Sequence, residues 1–536
     1  MTIKRPVRKL NSEAQLEIFG PRPKESPPPR LTEAKKQRRS FVDPDPNEIF
    51  IGNERLRDFL LNMGQDEAIL VRTVLREMDW EAFESKYSPR GRAPYAPASM
   101  VGIIVYGMMK GQTSLRQLEN LARCDVGCMW VSGQIFPDHS ILGRFINQHQ
   151  ETLTNTFFEA LTTKILNVLG QSACHVLSGD GSLIEAYASA YQCLKLEAAE
   201  LAAKEAREEY KKKTDRGIDD KALEQKAHHA ENLAQIVQAR AKKRQGRGAS
   251  VKHTRVSPTE PEAVFHRLKQ GTYRFAYLPS IVANEQRLII AQTVHPKSET
   301  AVVKTQIDQA RRVLKHPVKT LMYDGNYLAG GVLETALEEN VDLLCPPPKK
   351  STRRKKTKVF RKREFSYDAA KDVYICPASQ VLSNRFGGYD KKVGQNYHAY
   401  ATTACGTCPI KEQCTKSKRG RRIKRFASDD LKDAMRQVMC QTKPKQLYQR
   451  RQGMVEPIFG ELKHSQNLKR FRRKGLKAVQ LEFALHAMAH NLRRLCKLYS
   501  REALLKLIIS LCMAIYKASN RSEVHPWPTK SSLKIC

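Results

Sequence analysis

The stretch VKTLMYDGNYLAGGVLETALEENVDLLC, residues 318–345, places a helical pattern between two short apolar segments. VKTLMYD predicts a strand that ends at Asp324, LAGGVLETALEEN predicts a helix, and VDLLC predicts a further strand. Alternation of this kind predicts a central sheet that is covered by helices.

The residues before this stretch continue the same alternation. TYRFAYLPSIV and RLIIAQTV predict two strands joined by a hairpin turn at Asn284–Glu285, and ETAVVKTQIDQARRVLKH predicts a helix. Further upstream, ACHVLSGDGSLI (residues 173–184) predicts a short strand that ends in the turn signal Asp180-Gly181. We therefore expect residues 171–345 to form the first part of an α/β core with a mixed sheet.

Helical segments precede and interrupt this core. Residues 51–170 carry apolar residues at three- and four-residue steps, and Asp138 marks a helix start. They predict an all-helical N-terminal domain, either a DNA-binding helix-turn-helix module or a plain bundle. Residues 194–245 are rich in Ala, Glu and Lys, and a break at Thr214–Gly217 predicts a helical hairpin inserted in the core. This hairpin serves either as a solvated spacer or as a functional arm.

The remaining segments differ in composition. Residues 1–50 are rich in Pro, Lys and Arg, which predicts a flexible basic tail. Residues 346–440 combine dense basic runs with clustered cysteines, which predicts a basic, Cys-rich insert. We expect residues 441–500 to be helical and to complete the core, and residues 501–536 to form a C-terminal helix and tail.

The chain is strongly basic. Of its 536 residues, 93 are Lys or Arg and 55 are Asp or Glu, which gives a formal net charge of +38. Self-repulsion at this charge indicates a polyanionic partner, and nucleic acid is favoured over a membrane surface. Residues 349–363 hold ten basic residues and Lys416–Arg425 holds seven. KRFRRK, residues 469–474, is a third basic run. Clusters this dense predict salt-dependent contacts with phosphates, and the three runs together favour a DNA channel over ordinary solvated faces.

Two further features concern the compartment. No apolar stretch follows the basic N-terminus, and the longest apolar runs are too short to span a bilayer. We therefore expect a cytoplasmic protein with no membrane partner. In that compartment the 13 cysteines are expected to be thiols or metal ligands rather than disulfides.

Three acidic residues stand where they can converge. Asp180 and Asp324 each end a predicted strand, 144 residues apart, and Glu456 lies 132 residues later in a helical region. Three such carboxylates above a sheet edge can hold two hard cations, Mg²⁺ or Mn²⁺, for a displacement at phosphorus. Each acid also has a simpler explanation, because Asp-Gly pairs form turns and Glu456 precedes Pro457 as a helix-start residue does.

The cysteines of the insert suggest a second metal site. Cys405 and Cys408 have the spacing of a zinc half-site, Cys414 follows them, and Cys376 lies upstream. Four thiolates fit a closed tetrahedral structural Zn²⁺ site. The alternative is a set of four reduced cysteines in a loop-rich insert.

Several motifs together resemble a known family. LSGDGSLIEAYAS, MYDGNYLAG and YQRRQGMVEPIFGELKHSQNLKRFRRKGL resemble, in this order, the DDE transposases of bacterial insertion sequences. The resemblance is to the branch with a Tyr-Arg-Glu-Lys signature, and it covers most of residues 95–495. YICPASQVLS and ACGTCPIKEQC are similar to the cysteine segment that some members carry.

The resemblance implies an RNase H-like fold with Asp180 on its first strand, Asp324 after its fourth and Glu456 on a late helix. It implies hydrolysis at the transposon ends by a metal-activated water, after which the freed 3′-hydroxyl attacks target DNA. The implied partners are the terminal inverted repeats and target DNA, bound by a homodimer in a bacterial, nucleoid-associated setting. The alternatives are an inactive transposase-derived DNA-binding protein and an RNase H-like nuclease that does not join strands.

The signature also assigns supporting residues. Tyr448, Arg451, Glu456 and Lys463 take its four named places, and Asn326 and Tyr327 follow Asp324 where the family often has a small residue and Tyr. The Arg-to-Glu step is one residue longer than in the usual signature, which leaves Arg450 as an alternative to Arg451. Glu461 is the alternative third acid. Lys463 and the arginine are expected to hold DNA phosphates, although Lys463 can also be a plain surface lysine.

Overall fold

The computed structural model describes residues 39–170, 174–216, 220–246, 248, 250–268, 271–347, 359–390 and 393–498. The expected C-terminal helix and tail of residues 501–536 and most of the basic run 349–363 lie outside the described residues. The described part is mixed α/β, as the sequence predicts.

The first part of the chain is helical, after a short ribbon of strands β1 (Phe50–Ile51) and β2 (Glu54–Arg55). The helices are α1 (Leu56–Asn62), α2 (Asp66–Arg76), α3 (Glu81–Glu84), α4 (Pro97–Met109), α5 (Leu115–Cys124), α6 (Val126–Ser132), α7 (His139–Gln148), α8 (Gln150–Thr152) and α9 (Phe158–Val168). Local signals fix several helix starts. Ser114 and Gln117 form a capping box at α5, and the Asp138 carboxylate accepts a hydrogen bond from the Ile141 N–H at α7.

The end of the expected basic tail packs against this helical part. Val42 forms a β-bridge with Tyr95, and the buried guanidinium of Arg72 donates to the carbonyl of Pro44 at 3.3 Å. Arg72 also donates to the carbonyl of Val131 at 2.9 Å. A buried guanidinium is costly unless its N–H groups find acceptors, so the bond from Arg72 holds the backbone at Pro44 against the helices.

The central sheet and its insert occupy residues 176–344. In chain order the elements are β3 (Val176–Gly181), β4 (Ile184–Glu185), β5 (Leu194–Lys195), α10 (Leu196–Thr214), α11 (Lys221–Gln245), β6 (Arg255–Val256), β7 (Val264–Arg267), β8 (Tyr273–Ala283), β9 (Ile289–His295), α12 (Val303–Leu314), β10 (Thr320–Met322), α13 (Gly330–Glu338) and β11 (Asp342–Leu344).

The sheet is mixed. Its strands follow the order β11, β10, β3, β8, and β8 pairs in addition with β9, β4 and β7. Strands β11, β10 and β3 are parallel, whereas β8 is antiparallel to both β3 and β9. Strands β3, β9, β10 and β11 therefore all run in one direction, and their carboxyl ends lie at one edge of the sheet.

Helices α10 and α11 of the insert pack side by side as an antiparallel hairpin. The Asp220 carboxylate caps α11 by accepting from the Ala222 and Leu223 N–H groups at 3.1 and 3.2 Å. A small ribbon of β5 and β6 closes its base, where Ala199, Leu233 and Val256 form a separate apolar cluster. The hairpin thus carries its own small core beside the sheet.

The Cys-rich insert contains a sheet that the sequence does not predict. Its elements are β12 (Ser366–Asp368), β13 (Val373–Ile375), β14 (Val381–Asp390), β15 (Gln395–Ala401), α14 (Lys411–Cys414), β16 (Arg422–Phe426) and α15 (Ser428–Val438). The five strands are antiparallel in sequence order. One face holds a small core that includes Tyr374, Leu382, Tyr400 and Ile423, so each strand buries only a few of its residues.

The last described helices are α16 (Thr442–Gln449), α17 (Arg451–His464) and α18 (Leu476–Leu498). Helix α18 packs against β9 and α4, and one continuous core extends from Leu56 to Leu495. At its centre, the Asn491 amide accepts from the Ile289 N–H at 2.8 Å and donates to the Ile289 carbonyl at 2.9 Å. The N-terminal helices and the sheet are therefore packed as one body around α18.

Within the described ranges, the structure contains no helix with both the length and the apolar character that crossing a membrane requires.

Candidate active site

Two of the predicted acids lie side by side at the carboxyl edge of the sheet. Strands β3 and β10 are parallel with Ser178 opposite Met322, so Asp180 and Asp324, two residues further on, reach the same level. Neighbouring strands lie about 4.8 Å apart. The strand alternation that the sequence predicts therefore brings together two carboxylates that are 144 residues apart.

Two stacked tyrosines pack against the sheet beside these acids. The rings of Tyr323 and Tyr327 stack with centroids 4.1 Å apart, and both side chains are fully buried. A Cβ atom at Gly179 would lie 2.0 Å from the Tyr323 ring, so only glycine lets strand β3 lie this close. The Tyr323 hydroxyl donates to Gln306 Oε1 at 2.6 Å, which fixes the stack to helix α12.

Asp180 lies against a buried arginine. Arg451 Nη2 is 3.1 Å from Asp180 Oδ1 and donates to the Gly179 carbonyl at 3.2 Å. Burial raises the pKa of the Asp180 carboxyl, Arg451 opposes the rise, and the nearby carboxylates of Asp324 and Glu456 add to it. Asp324 and Glu456 are thus both close enough to act on the Asp180 carboxyl.

Asp324 is held by the turn that follows it. Its carboxylate accepts from the Asn326 N–H at 2.9 Å and from Asn326 Nδ2 at 3.0 Å. The thiol of Cys345, at the end of the neighbouring strand β11, donates to the Asp324 carbonyl at 2.9 Å. Asn326 therefore orients the Asp324 carboxylate, while Tyr327 is part of the buried stack below it.

Glu456 lies on α17, which packs on strands β3 and β8. The buried stripe of this helix comprises Arg451, Met454, Val455, Ile458, Phe459 and Leu462. Glu456 stands beside that stripe and is exposed, and it accepts from Gln452 Nε2 at 3.0 Å. The alternative acid, Glu461, faces helix α18 instead, where Lys497 Nζ lies 3.3 Å and His490 Nδ1 3.5 Å from its carboxylate.

The two neighbouring arginines have different surroundings. Arg451 is buried against Asp180, whereas Arg450 is exposed and pairs with Glu285 at 3.0 Å in the β8–β9 turn. Burial raises the pKa of the Tyr448 phenol and Arg451 opposes the rise, so Tyr448 also lies beside the acids. Among the two arginines that the signature leaves open, only Arg451 contacts an acid of the site.

Lys463 reaches the loop that follows Asp180. Its Nζ donates to Ser182 Oγ at 2.6 Å and to the Leu183 carbonyl at 3.3 Å. The ammonium group is therefore tied to the chain just after β3 and is only partly exposed. This position differs from that of a plain surface lysine.

A fourth acid, which the sequence analysis does not identify, lies at the same edge. Glu299 follows strand β9, and burial raises the pKa of its carboxyl to about 7, with further contributions from Asp324 and Asp180. Strand β9 runs in the same direction as β3 and ends at the same edge of the sheet. A sequence-based prediction of that direction would have identified Glu299 as a further acid of the site. The sequence predicts strand β9 but not the direction in which it runs relative to β3.

The donor set fits hard divalent cations, because carboxylate oxygens are the ligands that Mg²⁺ and Mn²⁺ prefer. In the part of the chain that the structure describes, no group of three or more His, Cys, Asp or Glu side chains is already placed to hold a metal ion. Arg451 occupies one side of Asp180, and the Glu456 side chain turns towards Gln452. To hold an ion together with Asp180, Glu456 would have to rotate inward from the helix surface.

The four cysteines of the insert line one small cavity of about 20 Å³. The Gln380 N–H donates to Cys376 Sγ at 3.3 Å, and a Cβ at Gly420 would lie 2.7 Å from the Cys405 Cβ. Burial raises the pKa of the Cys414 thiol, Arg421 lowers it, and Cys405, Cys376 and Cys408 raise it further. The predicted set is thus gathered around one point of the insert, although it is not a closed ligand set.

Comparisons with known proteins give two family matches. Residues 375–496 match the family model described as transposase DDE domain, and residues 60–148 match the model described as transposase domain DUF772. The first match includes Glu456, and Asp180 and Asp324 lie outside it. A search of curated proteins found no match. The two family matches support a DDE-type transposase.

Proposed function

We propose that this chain is a DNA transposase of the DDE class that cuts the ends of an insertion sequence and joins them to target DNA. Asp180, Asp324 and Glu456 are its acidic triad. The observation that carries the proposal is the alignment of Asp180 and Asp324 on parallel neighbouring strands, with Glu456 near enough to act on the Asp180 carboxyl.

The order of the strands supports an RNase H-like core. Apart from the short strands β4 and β7, the central sheet contains β3, β8, β9, β10 and β11 in chain order. Asp180 lies on the first of these strands and Asp324 follows the fourth. These are the places that the family resemblance implies for the first two acids, and α17 is the late helix that carries the third.

The proposed reaction comprises two displacements at phosphorus. In the first, a water oxygen bonds to phosphorus at the transposon end, and the bond to the 3′-oxygen breaks, which leaves a free 3′-hydroxyl. In the second, this 3′-oxygen bonds to a phosphorus of target DNA and displaces the 3′-oxygen of the target strand. When bound, Mg²⁺ or Mn²⁺ would lower the pKa of the attacking water or hydroxyl and would neutralise the charge that develops on the leaving oxygen.

The residues of the chain have separate tasks in this scheme. The three acids hold the cations, and Asn326 keeps the Asp324 carboxylate pointing outward from its turn. Arg451 opposes the rise that burial causes in the pKa of the half-buried Asp180 carboxyl. Lys463 fixes the loop after β3 and presents positive charge to a phosphate beside Asp180.

A basic loop beside the acids supports DNA as the substrate. Residues 469–474, KRFRRK, follow α17, and Arg470 forms a β-bridge with Glu185 just after strand β3. Arg470 also donates to the Ala186 carbonyl at 3.1 Å, and its guanidinium lies over the exposed ring of Tyr187. Phosphate contacts of such residues are expected to make DNA binding strongly dependent on salt.

The test is a cleavage and joining assay with purified protein and DNA that carries the inverted repeats flanking the gene. We expect cleavage at the repeat end with Mg²⁺ or Mn²⁺, followed by joining of the 3′-end to a target plasmid. Asp180→Ala, Asp324→Ala and Glu456→Ala are expected to abolish both steps, while Glu461→Ala retains them. Full cleavage by Asp180→Ala would overturn the proposal, and cleavage without joining would identify a nuclease instead.

We also propose that two copies act together, because both transposon ends must be cut in one event. The complex with DNA ends is expected to contain two chains per pair of ends. Light scattering of the protein with and without end DNA measures this number. A single chain bound to both ends contradicts the homodimer.

A further inference from the structure

Glu299 reaches the acidic edge from a third strand. Strand β8 pairs Ser280 with Gly181 of β3 on one side and with Thr293 of β9 on the other. Strands β3 and β9 flank β8 and run in the same direction, so the segment after β9 begins at the edge where Asp180 and Asp324 lie. Glu299 is four residues beyond the end of β9, directly before the short helical turn Thr300–Val302.

A glycine makes room for this carboxylate against β3. A Cβ atom at Gly181 would lie 2.6 Å from Glu299 Oε2 and 3.0 Å from Ser280 Oγ. No real side chain tolerates the shorter contact without displacing the Glu299 carboxylate. Glu299 is therefore seated directly on the residue that follows Asp180, in the space that a side chain at Gly181 would otherwise fill.

Two buried hydroxyls lie at this seat. Ser280 and Tyr327 are both fully buried, and within the described residues neither Ser280 Oγ nor the Tyr327 phenol oxygen makes a well-formed hydrogen bond. The Tyr327 phenol lies beside Glu299, and Ser280 Oγ faces the same Gly181 position. Buried hydroxyls normally find partners, so this corner has polar capacity that the protein alone does not use.

We propose that Glu299 is a fourth carboxylate of the divalent-cation site and a direct or water-bridged ligand of an ion held by Asp180. The inference rests on the proposed function, since it concerns the cations that the acidic triad holds. The buried hydroxyls of Ser280 and Tyr327 then bond to water molecules of the hydrated ion, which Mg²⁺ and Mn²⁺ usually retain.

The charges around Glu299 favour this role. The Glu299 carboxyl is partly buried, and two carboxylates, Asp324 and Asp180, lie near enough to act on it, as does the guanidinium of Arg451. Carboxylates that crowd in this way repel one another when ionised, and a divalent cation between them removes the repulsion. Arg451 is a single positive charge and already pairs with Asp180.

The experiment measures Mn²⁺ binding to the intact chain without DNA, by titration with electron paramagnetic resonance of the free ion. Glu299→Gln removes the charge and keeps the shape, and Glu299→Ala removes the carboxylate altogether. Glu338→Gln, an exposed glutamate on α13, is the matched control. Asp180→Asn tests the triad itself. The rise in melting temperature on adding Mn²⁺ gives a second readout that does not depend on activity.

We expect both Glu299 variants to bind Mn²⁺ at least about tenfold more weakly than wild type and to show a smaller Mn²⁺-induced rise in melting temperature. Glu338→Gln is expected to match wild type in both measurements. Without metal, Glu299→Gln is expected to melt no lower than wild type, because it removes repulsion, and this shows that the variant folds.

The outcomes separate the two proposals. If Asp180→Asn loses Mn²⁺ binding while both Glu299 variants bind as Glu338→Gln does, the triad stands and the role of Glu299 is wrong. If Asp180→Asn binds Mn²⁺ as wild type does, the cation site is not at these acids and the proposed function itself is overturned.

Discussion

The Arg287 guanidinium donates from Nε to the carbonyl oxygen of Gly453 at 2.9 Å. This carbonyl is the acceptor that Pro457 leaves free in α17, because proline has no N–H to donate four residues back. The helix therefore continues through Pro457 from Arg451 to His464, with a side chain from the β8–β9 turn replacing the missing bond. The same turn contacts α18, where His490 Nε2 lies 2.9 Å from the Arg287 carbonyl oxygen.

A double-mutant cycle tests this replacement. Arg287→Ala is expected to lower the free energy of unfolding by about 1 kcal/mol, the usual contribution of one hydrogen bond from a charged donor at a partly exposed site. In a Pro457→Ala background the helix regains its own bond, so the same change is expected to cost less than half as much. Equal losses in both backgrounds, measured by chemical denaturation, would show that the two residues do not act on the same carbonyl.

The buried amide of Asn491 gives a larger prediction. It bonds both backbone groups of Ile289 on the outer edge of β9 and also donates to Thr162 Oγ1 at 3.2 Å. Asn491→Leu leaves these buried groups without partners, which is expected to destabilise the fold by about 3 kcal/mol. The measurement is the denaturation midpoint, with Asn47→Leu, an exposed asparagine outside the core, as the control. A loss below about 1 kcal/mol contradicts the role of Asn491 in closing the sheet edge.

The strands of the core were predictable because their apolar runs are short and end in turn signals. The sequence places Asp180 and Asp324 at strand ends, and the parallel pairing of β3 and β10 then sets them side by side. Glu299 was not predictable in this way, since its position depends on the direction of β9 and on the space at Gly181. Neither property is visible in a local pattern of residues.

The five-stranded sheet of the insert was missed for a different reason. In β14, VLSNRFGGYD, only Leu382 is buried, so the strand shows no apolar alternation over its ten residues. Basic side chains cover the exposed surface instead, with Lys424 Nζ 4.1 Å from the ring centroid of Tyr397. A sheet with so small a core has the composition of a charged loop.

A pH prediction follows from Glu482 on α18. Its carboxylate is 4% exposed and accepts from the backbone N–H groups of Arg472 and Arg473. Burial raises its pKa from 4.5 to about 6 against the effect of these donors. The folded state therefore holds the proton more tightly than the unfolded state, and this part of the stability is present at low pH and lost as pH rises.

From about pH 3.5 to about pH 7 the stability of wild type relative to Glu482→Gln is thus expected to fall by about 2 kcal/mol, and most of this change falls between pH 4.5 and 6. The Glu482→Gln side chain does not titrate in either state, so the variant is the reference for the wild-type protein across this pH range. The measurement is chemical denaturation of both proteins at half-unit pH steps. A constant difference in stability across the range contradicts the raised pKa.

The cysteine cavity leads to a prediction on metal content. If Cys376, Cys405, Cys408 and Cys414 close around Zn²⁺, the purified protein contains about one zinc per chain after a chelator wash. Cys408→Ser is expected to lose the zinc and to melt at a lower temperature, whereas Cys440→Ser, an exposed cysteine outside the cavity, retains it. Wild-type protein without zinc, or Cys408→Ser with its zinc intact, shows that the cluster is a set of reduced thiols.

The adjacent arginines 450 and 451 give the sharpest test of the site, because they differ in surroundings and not in chemistry. Arg451 is buried and contacts Asp180 Oδ1 at 3.1 Å, whereas Arg450 is exposed and contacts Glu285.

Since Arg451 holds down the pKa of Asp180, its removal raises that pKa further and favours the protonated acid. Arg451→Gln is expected to lower DNA cleavage at neutral pH by about 100-fold and to move the acidic limb of the pH–rate profile upward, because more base is then needed to ionise Asp180. Arg450→Gln is expected to cleave within about threefold of wild type with an unchanged profile, as an exposed ion pair contributes little. If the two variants behave alike, the contact between Arg451 and Asp180 has no part in the reaction.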